Sequence, residues 1–560
     1  MKHLLSIGLL GEPKVARREV IALILAALRM TPYYMLRQAC PVESTNGLRP
    51  KLVSVFLEPS TRTQGSTEEA ARFLGLDIGT AINASDSSLG KGESFMNTLR
   101  MVNQQGADVV VLRTREEGVG LHLAQCLAKT ASPESWVRPN ISLVVGGAGT
   151  RDHPSQVLLD LTTIVLRHLG IRCLDGGDCQ KLTAVLKDPQ LEQRVTDILN
   201  SLSIAFVGAL LESRVVHDWL HLGRYFNIKF ILVAPPMFQI ESWCLTGLNV
   251  VQTDQLEAAK PAAIVYTIRT QIERLPKTMP PHEAEALIRS IIITPSFLPG
   301  FNGEFMDALP FDSRRPMIDP ALWTHPKMIA FMMSGVGIPA RMAIIQRCLA
   351  GRGETFPLLE PPPMPFSSAW VLKQQSLAAH WLEMSHKYVG QGKHLVVHKE
   401  MNGTVVDRLP PGTVDYIHRI NQAIGLYKNP HAETLRCEDF DSRHMGKKDV
   451  LFLHGLQVPY KIAAIYGLIA PQVRLSCMDA SVEKQGGKGY RRLEVPLPGA
   501  VAKIFRCLNP GCVTNTPTEA ETFFWVHGKK GQPTGLECAF CQRHFSAPDV
   551  VAATFDGRRN

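Results

Sequence analysis

From Leu52 to Leu57 the chain is almost continuously apolar and rich in β-branched and aromatic side chains, so it reads as a short buried strand. The run stops at Glu58-Pro59. A polar string, Ser60-Thr61-Arg62-Thr63, then leads into a helical stretch from Ser66 to Leu74 that Gly75 ends. A strand that breaks into hydroxyls and an arginine at a helix start can hold a doubly charged phosphate. Backbone N–H groups point at the anion, hydroxyls add donors, and Arg62 supplies a charged fork. Taken alone, such a string is an ordinary N-cap. Further on, Gly351 to Phe366 carries Pro357, Pro361, Pro362, Pro363 and Pro365, which resist helix and predict a semi-rigid linker. Ser368 to His386 reads as helical, with Trp370, Leu377, Trp381 and Leu382 as a core-facing stripe. Asn402-Gly403, flanked by Val405 and Val406, reads as a hairpin turn between strands.

Composition changes this picture little. A chain of 560 residues exceeds one core and predicts about three or four domains. The net charge of +9 would suit nucleic acid, but the basic residues are scattered rather than striped, so small anionic ligands are the better reading. The apolar start, Met1 to Leu10, is broken by Glu12, Lys14 and Arg17 and lacks a small-residue cleavage site. No stretch of 18 apolar residues follows, so a membrane span is not expected. Most of the twelve cysteines stand singly, which fits a reducing cytoplasm.

Four cysteines do not stand singly. Cys507-x4-Cys512 and Cys538-x2-Cys541 can bring four thiolates to a closed tetrahedral structural Zn2+ site. His544 lies close by, but four cysteines already fill the shell.

Further segments follow the Ser-Thr-Arg-Thr string in order. They are Ser88-Leu-Gly-Lys91-Gly-Glu93, Val111-Leu-Arg113, His153-Pro-Ser-Gln156, Ser213-Arg214-Val-Val-His217, Ile268-Arg269-Thr-Gln271 and Leu298-Pro299. In this order and spacing, residues 1–350 resemble the catalytic chain of the aspartate carbamoyltransferase family. The resemblance implies attack of the aspartate amine on carbamoyl phosphate. It assigns the phosphate to Ser60, Thr61, Arg62 and Thr63, with Arg113 shared between phosphate and carbonyl. The developing oxyanion falls to Thr63, Arg113 and His153, where aimed donors contribute most. Gln156 and the backbone carbonyls of Leu298 and Pro299 would accept from the carbamoyl NH2. Aspartate would be held by Ser88, Lys91, Arg214, Arg269 and Gln271, with Lys91 also catalytic and reaching in from a neighbouring subunit. Glu58 would pair with Arg214 and Arg274 as two domains close. The chain departs from the family's His-Pro-Leu-Pro-Arg, here read at Ser296-Phe-Leu298-Pro299-Gly300, and from its Asn-Ala-Gly-Asp-Gly, here Gly146-Gly-Ala-Gly-Thr150.

Residues 390–555 resemble the family's regulatory chain, on Asn402 to Pro410, Met445 to Asp449 and the zinc pattern. Asp407 and Lys448 match nucleotide-contacting positions, while Phe452 replaces a second lysine, so triphosphates should bind more weakly. The implied fold class is α/β: a two-domain carbamoyltransferase fold of parallel sheets flanked by helices, then a small α+β regulatory domain and a four-cysteine zinc β-domain. Expected boundaries are 1–155 for carbamoyl phosphate, 156–350 for aspartate, 351–390 for linker and helix, 391–500 for the effector-like domain and 501–560 for zinc. Expected partners are carbamoyl phosphate, L-aspartate, nucleotide effectors (CTP, ATP, UTP) and further copies of the chain built on trimers, without membrane or nucleic acid. The alternatives are a carbamoyltransferase for another amine acceptor and a catalytically silent zinc-containing scaffold.

Overall fold

The computed structural model describes residues 1–43, 48–83, 92–129, 141–269, 281–362, 371–379, 382–383, 386, 402–428, 433–516, 520–528 and 534–555. It divides into two compact units, Met1–Leu358 and Leu359–Asn560.

The first unit holds two parallel sheets. In one, β1 (Lys51–Phe56) lies between β2 (Asp77–Ile78) and β4 (Val109–Thr114), β3 (Ile82–Asn83) also pairs with β1, and β5 (Ser142–Ala148) extends the sheet beyond β4. Every pairing is parallel. Both faces of such a sheet are covered by helices, which is why β1, β4 and β5 read as nearly unbroken apolar runs. The apolar start of the chain joins this sheet: Leu4 bridges Val144 and is fully buried.

The second sheet has the order β10 (Glu304–Asp307), β9 (Ile264–Ile268), β6 (Ser203–Gly208), β7 (Lys229–Val233), β8 (Asn249–Thr253), again all parallel. Gly208 at the end of β6 has φ +136°, and a Cβ there would stand 2.0 Å from the Ile268 carbonyl, so only glycine fits. Two long helices, Pro13–Met35 and Ala330–Ala350, pack on each other, and the second also packs on Thr61–Phe73 and Pro154–His168. They tie the two sheets into one apolar core that includes Ile24, Leu28, Val336 and Ile344.

The second unit is antiparallel. Its larger sheet has the order β11 (Val371–Gln375), β16 (Tyr490–Glu494), β15 (Arg474–Met478), β12 (Gly403–Leu409), β14 (Gly446–His454), β13 (Glu433–Ser442). Two segments of this sheet differ from the sequence expectation. Val371–Gln375 is a strand rather than helix, because it completes the sheet against β16; helix begins only after Ser376. Leu377 of the expected stripe is buried, Leu382 is exposed, and Trp370 and Trp381 lie outside the described residues. Asn402-Gly403 is not a hairpin turn: Gly403 lies within β12 and pairs with both His454 and Met478. A Cβ on Gly403 would come within 2.2 Å of the Leu453 carbonyl, which explains the glycine without a turn. Phe452 joins the core with Val405, Val450 and Tyr490, so its side chain is spent on packing.

The smaller sheet has the order β17 (Ala500–Ala502), β18 (Phe523–His527), β19 (Gly535–Cys538), β20 (His544–Ser546), followed by the helix Ala547–Phe555. Among the described residues, no helix is long and apolar enough to cross a membrane.

Candidate active site and metal centre

The C-terminal ends of parallel strands are where α/β sheets place their ligands, because helix N-termini and loops converge there. In the first unit a cavity of about 850 Å³ opens at these ends. It is lined from the first sheet by Ser60, Thr61, Arg62, Thr63, Arg113, His153 and Gln156, and from the second by Arg214, Thr267, Arg269, Asp307, Leu309 and Pro310.

Ser60 caps the helix Thr61–Phe73 in an extended conformation, and its hydroxyl makes no capping hydrogen bond, which leaves it available to a ligand. The first N–H groups of that helix lack intrahelical acceptors and carry the positive end of the dipole. Arg62 donates to the Leu309 carbonyl across the cavity, and burial lowers the pKa of its guanidinium.

Arg113, near the end of β4, donates through Nη1 to the Gly146 carbonyl at 3.0 Å and lies 3.4 Å from His153 Nε2. Its Nη2 is 3.3 Å from Glu58 Oε2, and the same oxygen accepts from Arg214 Nη2 at 2.8 Å. Glu58 therefore bridges an arginine from each sheet. Both guanidiniums pass over Gly147, where a Cβ would stand 2.7 Å from Arg214 Nη1 and 2.9 Å from Arg113 Nη1. Glycine is required there for the two cations to share one wall.

His153 is the N-cap of Pro154–His168 and is buried. Burial, with Arg113, Arg214 and Arg341 nearby, holds its pKa well below the usual 6.5, so the imidazole is neutral at physiological pH. Gln156 donates through Nε2 to Asp160 Oδ1 at 2.9 Å, which leaves its carbonyl oxygen for the cavity. Asp160 also accepts from Trp219 Nε1 at 3.2 Å, and burial pushes its carboxyl up to about 7.

Leu298 and Pro299 do not reach the cavity. They follow the short turn Pro295–Phe297, where Leu298 packs against the apolar core and Pro299 is exposed. The Leu-Pro pair that lines the cavity is Leu309-Pro310, carried there by β10, whose parallel pairing with β9 ends at Asp307. The chain thus has Asp307-Ala308-Leu309-Pro310-Phe311 where the family reads His-Pro-Leu-Pro-Arg. Sequence reasoning missed Asp307; its signal was a second Leu-Pro directly after an apolar strand. The Asp307 carboxylate accepts from Thr267 Oγ1 at 2.5 Å and from the Leu309 N–H at 2.7 Å. Burial pushes its pKa up to about 6 despite those hydrogen bonds and the nearby Arg62 and Arg269. Arg341, also missed, is a buried arginine beside the cavity whose Nη1 donates to the Gly337 carbonyl. Ser88, Lys91, Gln271 and Arg274 lie outside the described residues.

In the second unit Asp407 and Lys448 come together as a buried ion pair, with Arg492 Nη2 adding a contact to Asp407 Oδ2 at 3.1 Å. Cys507, Cys512, Cys538 and Cys541 converge, all buried. Cys507 and Cys541 sulfurs are 3.6 Å apart, and those of Cys512 and Cys538 are 3.8 Å apart. A tetrahedral zinc with Zn–S bonds near 2.3 Å requires sulfurs about 3.8 Å apart, so the four thiols fit that ion as they stand. His544 is not among them.

Parts of both units are similar in sequence to known proteins. Residues 14–165 match the aspartate/ornithine carbamoyltransferase carbamoyl-P binding domain, and residues 499–551 match the metal binding domain of the aspartate carbamoyltransferase regulatory chain. The chain is 30% identical over 356 residues to the aspartate carbamoyltransferase catalytic subunit of Methanocaldococcus jannaschii, covering 62% of this chain and 98% of that protein. It is 31% identical to the catalytic subunit of Solibacter usitatus, covering 48% of this chain and 74% of that protein. A solved structure of the M. jannaschii catalytic subunit is 28% identical and aligns over 63% of this chain and 100% of that one, with a TM-score of 0.48. The chain belongs to the aspartate carbamoyltransferase family, and it joins the catalytic fold to the regulatory chain's metal-binding domain in one polypeptide.

Proposed function

We propose that this chain is an aspartate carbamoyltransferase that makes N-carbamoyl-L-aspartate and phosphate from carbamoyl phosphate and L-aspartate, an early step of pyrimidine biosynthesis. The observation that carries this reading is the cavity in which a helix N-terminus with Ser60, Thr61, Arg62 and Thr63 faces Arg214 and Arg269 across Arg113 and His153.

Phosphate binds at the Thr61–Phe73 N-terminus and draws Arg62 off the Leu309 carbonyl. That carbonyl, now free, and the Gln156 oxygen accept from the carbamoyl NH2. Arg113, Thr63 and the neutral His153 donate to the carbonyl oxygen, where negative charge develops in the transition state. A neutral imidazole serves better than a cation here, since a third positive charge beside Arg113 and Arg214 would be costly. Arg214 and Arg269 hold the aspartate carboxylates as bidentate forks. Ser88, Lys91 and Gln271 complete the acceptor side, with Ser88 and Lys91 supplied by a neighbour in a trimer, and Arg274 joins Glu58 in domain closure. Zn2+ at the four cysteines is structural and supplies folding energy to the C-terminal domain. Nucleotide effectors bind near Asp407 and Lys448, weakly, because those two charges already neutralise each other.

The test is to measure carbamoyl-aspartate formation by the purified chain, with and without CTP and ATP. Formation that needs both substrates supports the reading. Absence of product with aspartate, but turnover with another amine, would move the chain to a different acceptor.

A further inference from the structure

One face of the smaller sheet carries three side chains that the cysteine site does not use. Glu537 on β19 stands directly opposite His544 on β20 and opposite Trp525 on β18. His527 lies two residues along from Trp525, so strand alternation brings all three to the same face. The same alternation turns Glu537 away from Leu536 and Cys538, both fully buried. His527 Nε2 is 2.7 Å and His544 Nε2 is 3.0 Å from one oxygen, Glu537 Oε2. The rings lie nearly parallel, 11° apart, with centroids at 5.0 Å, and the three donor atoms all fall within 4.8 Å of one another.

Two imidazoles and one carboxylate suit late first-row divalent ions; calcium and magnesium prefer shells made of oxygen alone. Zinc held at 2.0–2.2 Å by nitrogen and oxygen needs neighbouring donors about 3.3 Å apart. The two nitrogen-to-oxygen distances, 2.7 and 3.0 Å, must open by only about half an ångström to reach that spacing. His527 is half exposed, and the other two side chains are a quarter exposed, so each can move. Three protein ligands leave a fourth coordination position open to a further donor.

We propose that His527, Glu537 and His544 form a second, exchangeable site for a late first-row divalent cation on the surface of the zinc domain, with an open position for a donor from outside the chain. The competing description is a hydrogen-bonded ladder that binds no metal, of the kind that contributes little at a surface.

The test uses the full-length chain with zinc retained in its cysteine site. It is dialysed against Co2+, and both metals are quantified alongside the visible spectrum. The expected result is about one cobalt per chain beyond the retained zinc, with weak ligand-field bands and no sulfur-to-cobalt charge-transfer band. His527→Ala and Glu537→Gln should each weaken cobalt binding at least about 10-fold, since losing a ligand costs no less than losing its supporting shell. Retained zinc in these variants shows that the domain is still folded. If Glu537→Gln loses its zinc, the half-exposed His527→Ala decides the matter alone. The proposal is overturned if the parent takes up no cobalt at millimolar concentration. It is equally overturned if cobalt uptake survives the His527 change, or if a charge-transfer band shows that cobalt entered the cysteine site.

Discussion

Asp307→Asn should stabilise the first unit at neutral pH and remove a pH dependence that the parent carries. The Asp307 carboxyl is buried at the end of β10, and its pKa is raised from 3.8 to about 6. A carboxyl with a higher pKa folded than unfolded favours folding below its unfolded value and loses that advantage as pH rises through its folded value. By pH 7 the parent has therefore given up about 3 kcal/mol relative to its fully protonated form, the cost of ionising a buried acid whose pKa lies some two units high. Asparagine keeps an acceptor for the Leu309 N–H or Thr267 hydroxyl and cannot ionise. The unit Met1–Leu358 has an unfolding entropy of roughly 0.75 kcal/mol/K, so the difference corresponds to about 4 °C in Tm. The assay is the Tm of the first unit's transition in parent and variant at pH 4.5, 5.5, 6.5 and 7.5, four points on the order of one pH unit apart that cover roughly two thirds of that change. The variant's advantage should grow with pH. A gap that stays constant, or shrinks as pH rises, would refute the ionised, buried Asp307.

Four further outcomes are expected. Arg62→Ala or Arg113→Ala should lower turnover at least ~100-fold, the scale for losing an aimed donor, and near-normal rates in both would reject the site. Arg269→Ala should raise the KM for aspartate far more than that for carbamoyl phosphate, because only aspartate loses a bidentate partner; steady-state kinetics with each substrate varied decide it. Mixing a Lys91→Ala chain with an Arg62→Ala chain should restore part of the activity, since one interface would then hold both intact residues. No recovery in samples that exchange subunits would mean that each chain completes its own site. Stripping zinc, or Cys538→Ser, should unfold the C-terminal domain and reduce assembly size while the catalytic unit stays active. Metal content, solution mass and activity on the same samples would expose the opposite result, a zinc-free protein of unchanged size.

Features built from neighbouring residues were legible in the sequence. The strand, the Ser60-Thr61-Arg62-Thr63 string and the helix after it are contiguous, so their geometry follows from local propensity and helix-end chemistry. The cysteine pairs were legible because thiolates at short spacing have few other uses. Tertiary structure decided what depended on strand pairing. Leu298-Pro299 and Leu309-Pro310 are the same dipeptide, and only the parallel pairing of β10 with β9 delivers the second one to the cavity. Val371–Gln375 is a strand because an edge of the sheet at β16 is there to receive it. The resemblance already implied that Glu58 pairs with Arg214, but Glu58 also takes Arg113 because two sheets bring both arginines to one side of Gly147. The neutrality of His153 and the raised pKa of Asp307 are also tertiary facts. Each follows from how much water and charge surround the group, and that is set by chain segments far away in sequence.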